Sequence, residues 1–407
     1  MNIEIILYLS ELFMHECLTK KKIGALFLNY ELYILVIYVL FITIAIVIFG
    51  KLVISGFLGD YYTYDSYTYL NASTHPFDRT IIQIPYSYRI LTPLFVYLLP
   101  IDHHAGFKVI NILGFMLTGF LFYYYLKEIR FNPVICLTGV LILLLSPIMV
   151  YTLYNIYLVD DLEYFLLLMS FYAILKQDNR LFIASASLGV LNKDAALLAI
   201  PLYFLYHFDN KKRLHTIKST ISISMLPLTI FLLIKYYFGG SAGYFSLNLE
   251  NIIAFHLRDG TPIFWQIYTA FGILTIIFIY NMLSKKIGNR YLQRSLYLIP
   301  LICLLYLICD IPRATFLAFP IIIPASLYIF MNSPPIKCIA LLLIAYLMAI
   351  ILVISNIIKT NFSQIDLIVS AFDITILSLL LAESVFFNNH LDSNSKLEES
   401  KIFYKNK

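Results

Sequence analysis

Long apolar runs alternate with short polar segments along most of the chain. A helix needs about 20 apolar residues to cross the hydrocarbon core of a bilayer. Ten runs approach or exceed this length, so the pattern predicts ten transmembrane helices. The predicted spans are residues 30–54, 107–126, 132–151, 158–175, 217–238, 261–283, 295–309, 313–331, 335–358 and 364–386.

Two further apolar segments do not fit as simple spans. Residues 86–100 are too short and contain Arg89 and two prolines, whereas residues 181–206 are long enough but carry Asn-Lys-Asp at 192–194. Charges at mid-membrane are costly and usually face a cavity or the bundle interior. We therefore predict two re-entrant or broken helices, whose irregular backbone is tolerated where protein or water satisfies it.

Composition supports a membrane protein. Hydrophobic residues make up 60% of the 407 residues and charged residues 13%, with a mean hydropathy of +0.82. A soluble domain carries about 25% charged residues, so this chain could not cover a surface that faces water. The fold class is predicted as an all-α polytopic membrane protein. Residues 1–387 form one transmembrane domain, and residues 388–407 form a polar tail.

The distribution of basic residues predicts the topology. Most of the 29 lysines and arginines fall in alternate polar segments and in the C-terminal tail. The positive-inside rule places these segments, and both termini, in the cytoplasm. The net charge of +5 therefore reflects topology, and we expect no nucleic-acid partner. Residues 55–106 become the first outer loop, in which 86–100 must be re-entrant for the later basic loops to stay inside.

The first outer loop carries the most informative residues. Asp60 and Asp65 lie just beyond the first span, and tyrosines that include Tyr64, Tyr67 and Tyr88 could form a groove wall for a sugar ring. A carboxylate here could accept a proton from an attacking hydroxyl. Arg89 could meet the charge that develops on a phosphate leaving group.

This loop resembles the polyprenyl- and dolichyl-phosphate-sugar-dependent glycosyltransferases of the GT-C fold, most closely the GPI mannosyltransferase branch. The resemblance lies in Tyr-Thr-Tyr-Asp at 62–65, Pro-Phe-Asp-Arg at 76–79 and Tyr-Arg-Ile-Leu-Thr-Pro-Leu at 88–94. Thr63 stands where the family has its first acidic residue. The Lys-Asp-Ala-Ala-Leu-Leu stretch at 193–198 and Arg313 before a Phe-Pro pair are similar to features of the wider superfamily.

The resemblance implies a sugar transferase on the outer or luminal face. Its donor is a polyprenyl- or dolichyl-phosphate-linked sugar, its acceptor is a glycan or a lipid-linked sugar, and it acts among membrane lipids. Asp65 is the implied base, with Asp60 as the second candidate. The implied substrate-binding residues are Tyr64, Tyr67, Tyr88, Arg89, Lys193, Asp194 and Arg313.

Simpler roles stay open for these side chains. Asp65 could cap a helix or be a solvated loop residue. The cations could form local ion pairs: Arg89 with Asp78 or Asp102, Lys193 with Asp194, and Arg313 with Asp310. No specific cofactor is predicted. A divalent cation is conceivable on the three acids Asp160, Asp161 and Glu163, although absence of metal is favoured.

Two other functions compete with this interpretation. An O-antigen-type polysaccharide polymerase or ligase would also use a lipid carrier, but the late outer loops here are short. A non-enzymatic lipid or sugar transporter would show broken helices in matching halves, whereas both broken segments fall in the first half. The abundance of Ile, Asn, Lys and Tyr favours a bacterial inner membrane over the endoplasmic reticulum.

Overall fold

The computed structural model describes residues 20–54, 64–78, 86–238, 270–284, 287–305, 311–328 and 330. In these ranges all regular elements are helical, which confirms the all-α fold class. The α-helices are α1 Lys20–Ile54, α2 Tyr64–Thr74, α3 Leu91–Leu98, α4 His103–Glu128, α5 Pro133–Leu144, α6 Pro147–Tyr154, α7 Asp160–Lys176, α8 Asn179–Asn192, α9 Ala199–His207, α10 Arg213–Phe238, α11 Ile273–Leu283, α12 Arg290–Ser295, α13 Ile299–Leu305, α14 Ile311–Phe316 and α15 Phe319–Leu327. Short 3₁₀ turns cover Tyr86–Tyr88, Asp194–Leu198, Asn210–Lys212 and Leu296–Leu298.

Three helices in these ranges are long and apolar enough to cross a bilayer. They are Tyr30–Ile48 within α1, the whole of α4 and the whole of α10, and α5 with α6 adds a fourth if the bent pair is one span. The protein is therefore membrane-embedded. The predicted spans 335–358 and 364–386 lie outside the described residues, so the total of ten stays a prediction.

The predicted span 132–151 is wrong as a single straight helix. Its two halves, α5 and α6, meet at 52°. Ser146 precedes Pro147 and its hydroxyl accepts a hydrogen bond from the amide of Met149 at 3.3 Å, so it caps a new helix. The residue before a proline also avoids helical backbone angles, which explains the break at this point.

Residues 179–207 form a helical hairpin. Helix α8 ends at Asn192, the backbone of Lys193 is extended, and α9 runs back beside α8. The rings of Phe182 and Tyr203 are 5.2 Å apart. Nearer the apex, a Cβ on Gly189 would lie 2.6 Å from the Cβ of Ala196, so only glycine permits this approach. The break predicted within 181–206 is confirmed.

The predicted re-entrant segment 86–100 also contains only short helical pieces. A 3₁₀ turn at Tyr86–Tyr88 is followed by α3, which has eight residues. At 1.5 Å per residue α3 is about 12 Å long, too short to cross a bilayer.

Helices α4 and α7 pack closely at the centre of the fold. Gly114 of α4 faces the first turn of α7, where an added Cβ would lie 2.9 Å from the backbone carbon of Asp161. In the same region the side-chain amide of Asn111 donates to the carbonyl of Ile156 at 2.6 Å. These contacts fix the start of α7 in the core.

The outer surfaces of α1 and α10 are apolar and exposed. On α1 the exposed side chains include Tyr33 and Phe41, and on α10 they include Leu232 and Leu233. A water-soluble chain would bury such surfaces. In a membrane-embedded protein they are suited to contact lipid.

Candidate functional site

Asp160, in the first turn of α7, is the centre of a buried ionic group. Its carboxylate accepts a hydrogen bond from the ammonium of Lys193 at 2.6 Å and another from the guanidinium of Arg313 at 3.3 Å. Only 1% of the Asp160 side chain is exposed, against 13% for Lys193 and 15% for Arg313. A buried carboxylate needs such partners, because an isolated charge would be strongly destabilised there.

Asn192 ties the hairpin apex to two other elements. Its carbonyl oxygen accepts a hydrogen bond from the hydroxyl of Thr92 in α3 at 2.6 Å. Its amide nitrogen donates to the carbonyl of Val159 at 2.8 Å and lies 3.5 Å from a Glu163 carboxylate oxygen. Both Thr92 and Asn192 are fully buried. These bonds hold the extended backbone of Lys193 next to α7, so its side chain can reach Asp160.

The two other acids of α7 point to different partners. Asp161 accepts a hydrogen bond from the hydroxyl of Thr152 at 2.7 Å, while Glu163 faces Asn192. Each also has one buried carboxylate oxygen without a hydrogen-bond partner among the described residues. No set of three metal-ligating side chains converges in the parts of the chain that the structure describes. Asp160 is instead saturated by cations.

Arg89 lies beside this group, among residues that are partly or fully exposed. We call these residues, Tyr88, Arg89, Asp194 and Lys235, the open side of the group. Its guanidinium donates a hydrogen bond to the hydroxyl of Tyr69 and lies 5.6 Å from the centre of the Tyr86 ring. It forms no ion pair with Asp78 or Asp102, so those predicted alternatives are wrong for the described residues. Burial lowers the pKa of Arg89, but Tyr69 and the acids Asp194 and Asp160 outweigh this effect and raise it. Arg89 is therefore cationic.

Lys235, near the end of α10, completes the open side. Its ammonium lies 3.5 Å from the centre of the Tyr88 ring and interacts electrostatically with Asp194 and Arg89. Asp194 is exposed at the hairpin apex. Burial and the charge of Asp194 raise the pKa of the Tyr88 hydroxyl, so this hydroxyl stays protonated at neutral pH.

The ionic partner of Lys193 differs from the one that sequence neighbourhood suggested, whereas the predicted pair of Arg313 with Asp310 stays a prediction. Lys193 pairs with Asp160, 33 positions away, and not with adjacent Asp194. Arg313 reaches the same carboxylate across 153 positions. Asp310 lies outside the described residues. The extended backbone at Lys193 separates its side chain from that of Asp194, which explains why the local pair does not form.

Of the two candidate bases, Asp60 and Asp65, only the backbone of Asp65 lies within the described residues. Asp60 lies outside the described residues. Asp65 and Tyr64 lie in the first turn of α2, and their side chains are outside what the structure describes. Asp65 lies one residue from the start of α2, so its alternative role as a helix cap stays a prediction. Tyr67 is 55% exposed on the same helix.

Three residues of this site were missed from the sequence: Thr92, Asn192 as an anchor, and Lys235. Lys235 had a usable signal, since it is a charge inside the apolar run 217–238. Thr92 had none, because a threonine in an apolar segment is common and its partner is 100 positions away.

The structure thus brings together six of the predicted residues, from four separate parts of the chain. They are Tyr88, Arg89, Asp160, Lys193, Asp194 and Arg313. Cations outnumber acids on the open side, which favours an anionic ligand. Comparison of the chain with protein-family models, with curated proteins and with solved structures finds no match.

Proposed function

We propose that this protein is an integral membrane glycosyltransferase that moves a sugar from a polyprenyl-phosphate carrier to a glycan or lipid-linked acceptor. The observation that carries the proposal is the convergence of Arg89, Lys193 and Arg313 around Asp160, with Asp194 and Lys235 at the open side. Such a group of cations beside apolar, exposed helix surfaces suits a ligand with a phosphate head and a hydrocarbon tail.

In the proposed reaction one bond to the anomeric carbon of the donor sugar forms and another breaks. An acceptor hydroxyl oxygen attacks the anomeric carbon of the donor, and the bond from that carbon to the phosphate oxygen breaks. The phosphate leaves with the bonding electron pair, and the hydroxyl proton passes to a carboxylate base. Negative charge grows on the leaving phosphate, so cations fixed in advance stabilise the transition state more than the ground state.

Roles follow from this chemistry. Arg89 binds the phosphate, because its planar fork matches two phosphate oxygens. Asp65 is the base, with Asp60 as the second candidate, and the tyrosines of α2 and the adjoining turn form the sugar groove. Lys193 and Arg313 hold Asp160 and add positive potential behind the phosphate.

The placement in the membrane belongs to the same proposal. The site opens on the outer face, both termini are cytoplasmic, and the chain completes a GT-C-like bundle of about ten spans in a bacterial inner membrane. The carrier then reaches the cations from the outer leaflet, and its tail stays in lipid.

The test is sugar transfer by the purified protein in lipid, with a panel of radiolabelled polyprenyl-phosphate sugars. We expect transfer from at least one donor and a loss of about 100-fold or more in Asp65→Asn, since general bases contribute about 10²–10⁴-fold. Asp102→Asn is the matched control. Asp102 caps α4 by accepting from the amide of Ala105 at 3.0 Å, and asparagine caps a helix equally well.

Two results would count against the proposal. Full activity in Asp65→Asn with normal protein yield rejects its role, and the same assay with Asp60→Asn then tests the second candidate. Absence of transfer from every polyprenyl-phosphate sugar in the panel rejects the transferase function itself.

A further inference from the structure

Arg89 and Lys235 are two cations with too little negative charge around them. Among the described residues neither is in an ion pair: Arg89 donates to the Tyr69 hydroxyl and Lys235 lies over the Tyr88 ring. Asp194 acts electrostatically on both. Asp160, which acts on Arg89, already binds Lys193 and Arg313. Two neighbouring cations repel each other, so this arrangement favours an anion between them.

The two cations are partly exposed, whereas the Asp160 carboxylate is not. Arg89, Lys235 and Tyr88 are partly exposed, and Asp194 is exposed, while Asp160 is buried. Near Lys235, at the end of α10, the hydroxyl of Tyr237 lies 3.5 Å from the carbonyl of Phe77. A ligand can therefore approach these two cations without disrupting the buried ion pairs.

The surface beside Lys235 is apolar. Leu232 and Leu233 are 64% and 61% exposed, and Tyr236 is 89% exposed. A cation at the end of such a helix surface fits a phosphate whose hydrocarbon tail lies along the helix. Free phosphate would gain nothing from this surface, so we assign the site to a lipid phosphate.

We propose that Arg89 and Lys235 form a two-cation clamp that holds a doubly charged phosphate monoester better than a singly charged phosphodiester. A monoester carries about 1.5 to 2 negative charges at pH 7, and a diester carries one. This inference rests on the proposed function. In that reaction the donor is a phosphodiester, and the carrier phosphate that remains after sugar transfer is a phosphomonoester. The clamp then favours the leaving group over the donor.

The experiment measures binding to the full chain in uncharged phosphatidylcholine nanodiscs. The probes are farnesyl phosphate, its methyl diester and inorganic phosphate. At pH 8 we expect wild-type protein to bind the monoester more tightly than the diester. Lys235→Met should weaken monoester binding about tenfold and diester binding much less, because a hydrogen bond to a charged group is lost. Lys235→Arg should retain the preference.

Lys218→Met is the matched control, because Lys218 is an exposed lysine at the opposite end of the same helix. It should bind all three probes as wild type does. Lys235→Gln provides a second variant if Lys235→Met does not give a monodisperse protein. At pH 5, below the second phosphate pKa of about 6, the wild-type preference should shrink.

Each remaining outcome decides the question. Equal affinity of wild-type protein for monoester and diester overturns the clamp, as does unchanged monoester binding in Lys235→Met or, where that variant is not monodisperse, in Lys235→Gln. Tight binding of inorganic phosphate shows a free-anion site instead. Sugar transfer is measured on the same samples: transfer without the preference leaves the proposed function standing, and the preference without transfer leaves only the clamp.

Discussion

The two ends of helix α7 differ in how their charged side chains are exposed to solvent. In its first turn Asp160, Asp161 and Glu163 are all buried. At its other end Lys176 lies 2.5 Å from Glu128 in an ion pair whose side chains are 45% and 33% exposed. Water solvates the second pair whether or not it forms, while the first group depends on partners that the protein supplies.

The difference concerns the energetic cost of charge at the two ends of α7. Well-packed apolar residues are often as stable as a buried ion pair, or more stable, so such a pair contributes little to folding by itself. Here three elements distant in sequence supply Asp160, Lys193 and Arg313. Their presence in an otherwise apolar bundle is consistent with the proposed phosphate site at the Asp160 end.

Removing Asp160 should have the largest effect on stability. Asp160→Asn removes the carboxylate that both Lys193 and Arg313 bind, and breaking a buried pair costs about 3–5 kcal/mol. We expect this loss in the free energy of unfolding, measured by equilibrium unfolding in mixed detergent micelles.

The double variant Asp160→Asn, Lys193→Met removes the Lys193 cation together with the acid that it binds. It should therefore lose less than the sum of its two single changes, because residues in one ionic network are not additive. If the losses in the free energy of unfolding were additive, Asp160 and Lys193 would not be energetically coupled. An Asp160→Asn protein as stable as wild type would contradict the prediction in the same way.

A smaller loss is expected where α4 approaches the start of α7. Gly114→Ala places a Cβ 2.9 Å from both the backbone carbon of Asp161 and the nitrogen of Leu162, which cannot move aside alone. Overpacking of this kind costs about 1–3 kcal/mol. Thermal unfolding in detergent should show the loss.

Gly119→Ala on the same helix is the control for Gly114→Ala. Its Cβ would meet the methyl groups of Leu144 at 3.0 and 3.1 Å, and a leucine side chain can rotate away. Both changes gain the same helix propensity, so the comparison isolates the packing term. Equal melting temperatures for the two variants would contradict the close contact at Asp161.

Sequence patterns predicted the local features of this fold well. The spans within α1, α4 and α10 follow from their apolar length, and the break at Lys193 follows from charge inside an apolar run. The pairing of the charges did not follow. Lys193 has an acid next to it in sequence, and only the extended backbone and the anchor from Asn192 to Thr92 direct it to Asp160. Such long-range partners leave no periodic signal.

The smallest effect is expected at the exposed end of α7. Glu128→Gln removes the partner of Lys176, but an exposed pair contributes about 0–1 kcal/mol because water and salt screen it. A double-mutant cycle of Glu128→Gln and Lys176→Met, followed by equilibrium unfolding, should give a coupling in this range that disappears in 1 M salt, where the screening length is about 3 Å. A coupling as large as that between Asp160 and Lys193 would remove the contrast between the two ends. The buried acids would then need no function to account for them, since charge at either end would stabilise the helix equally.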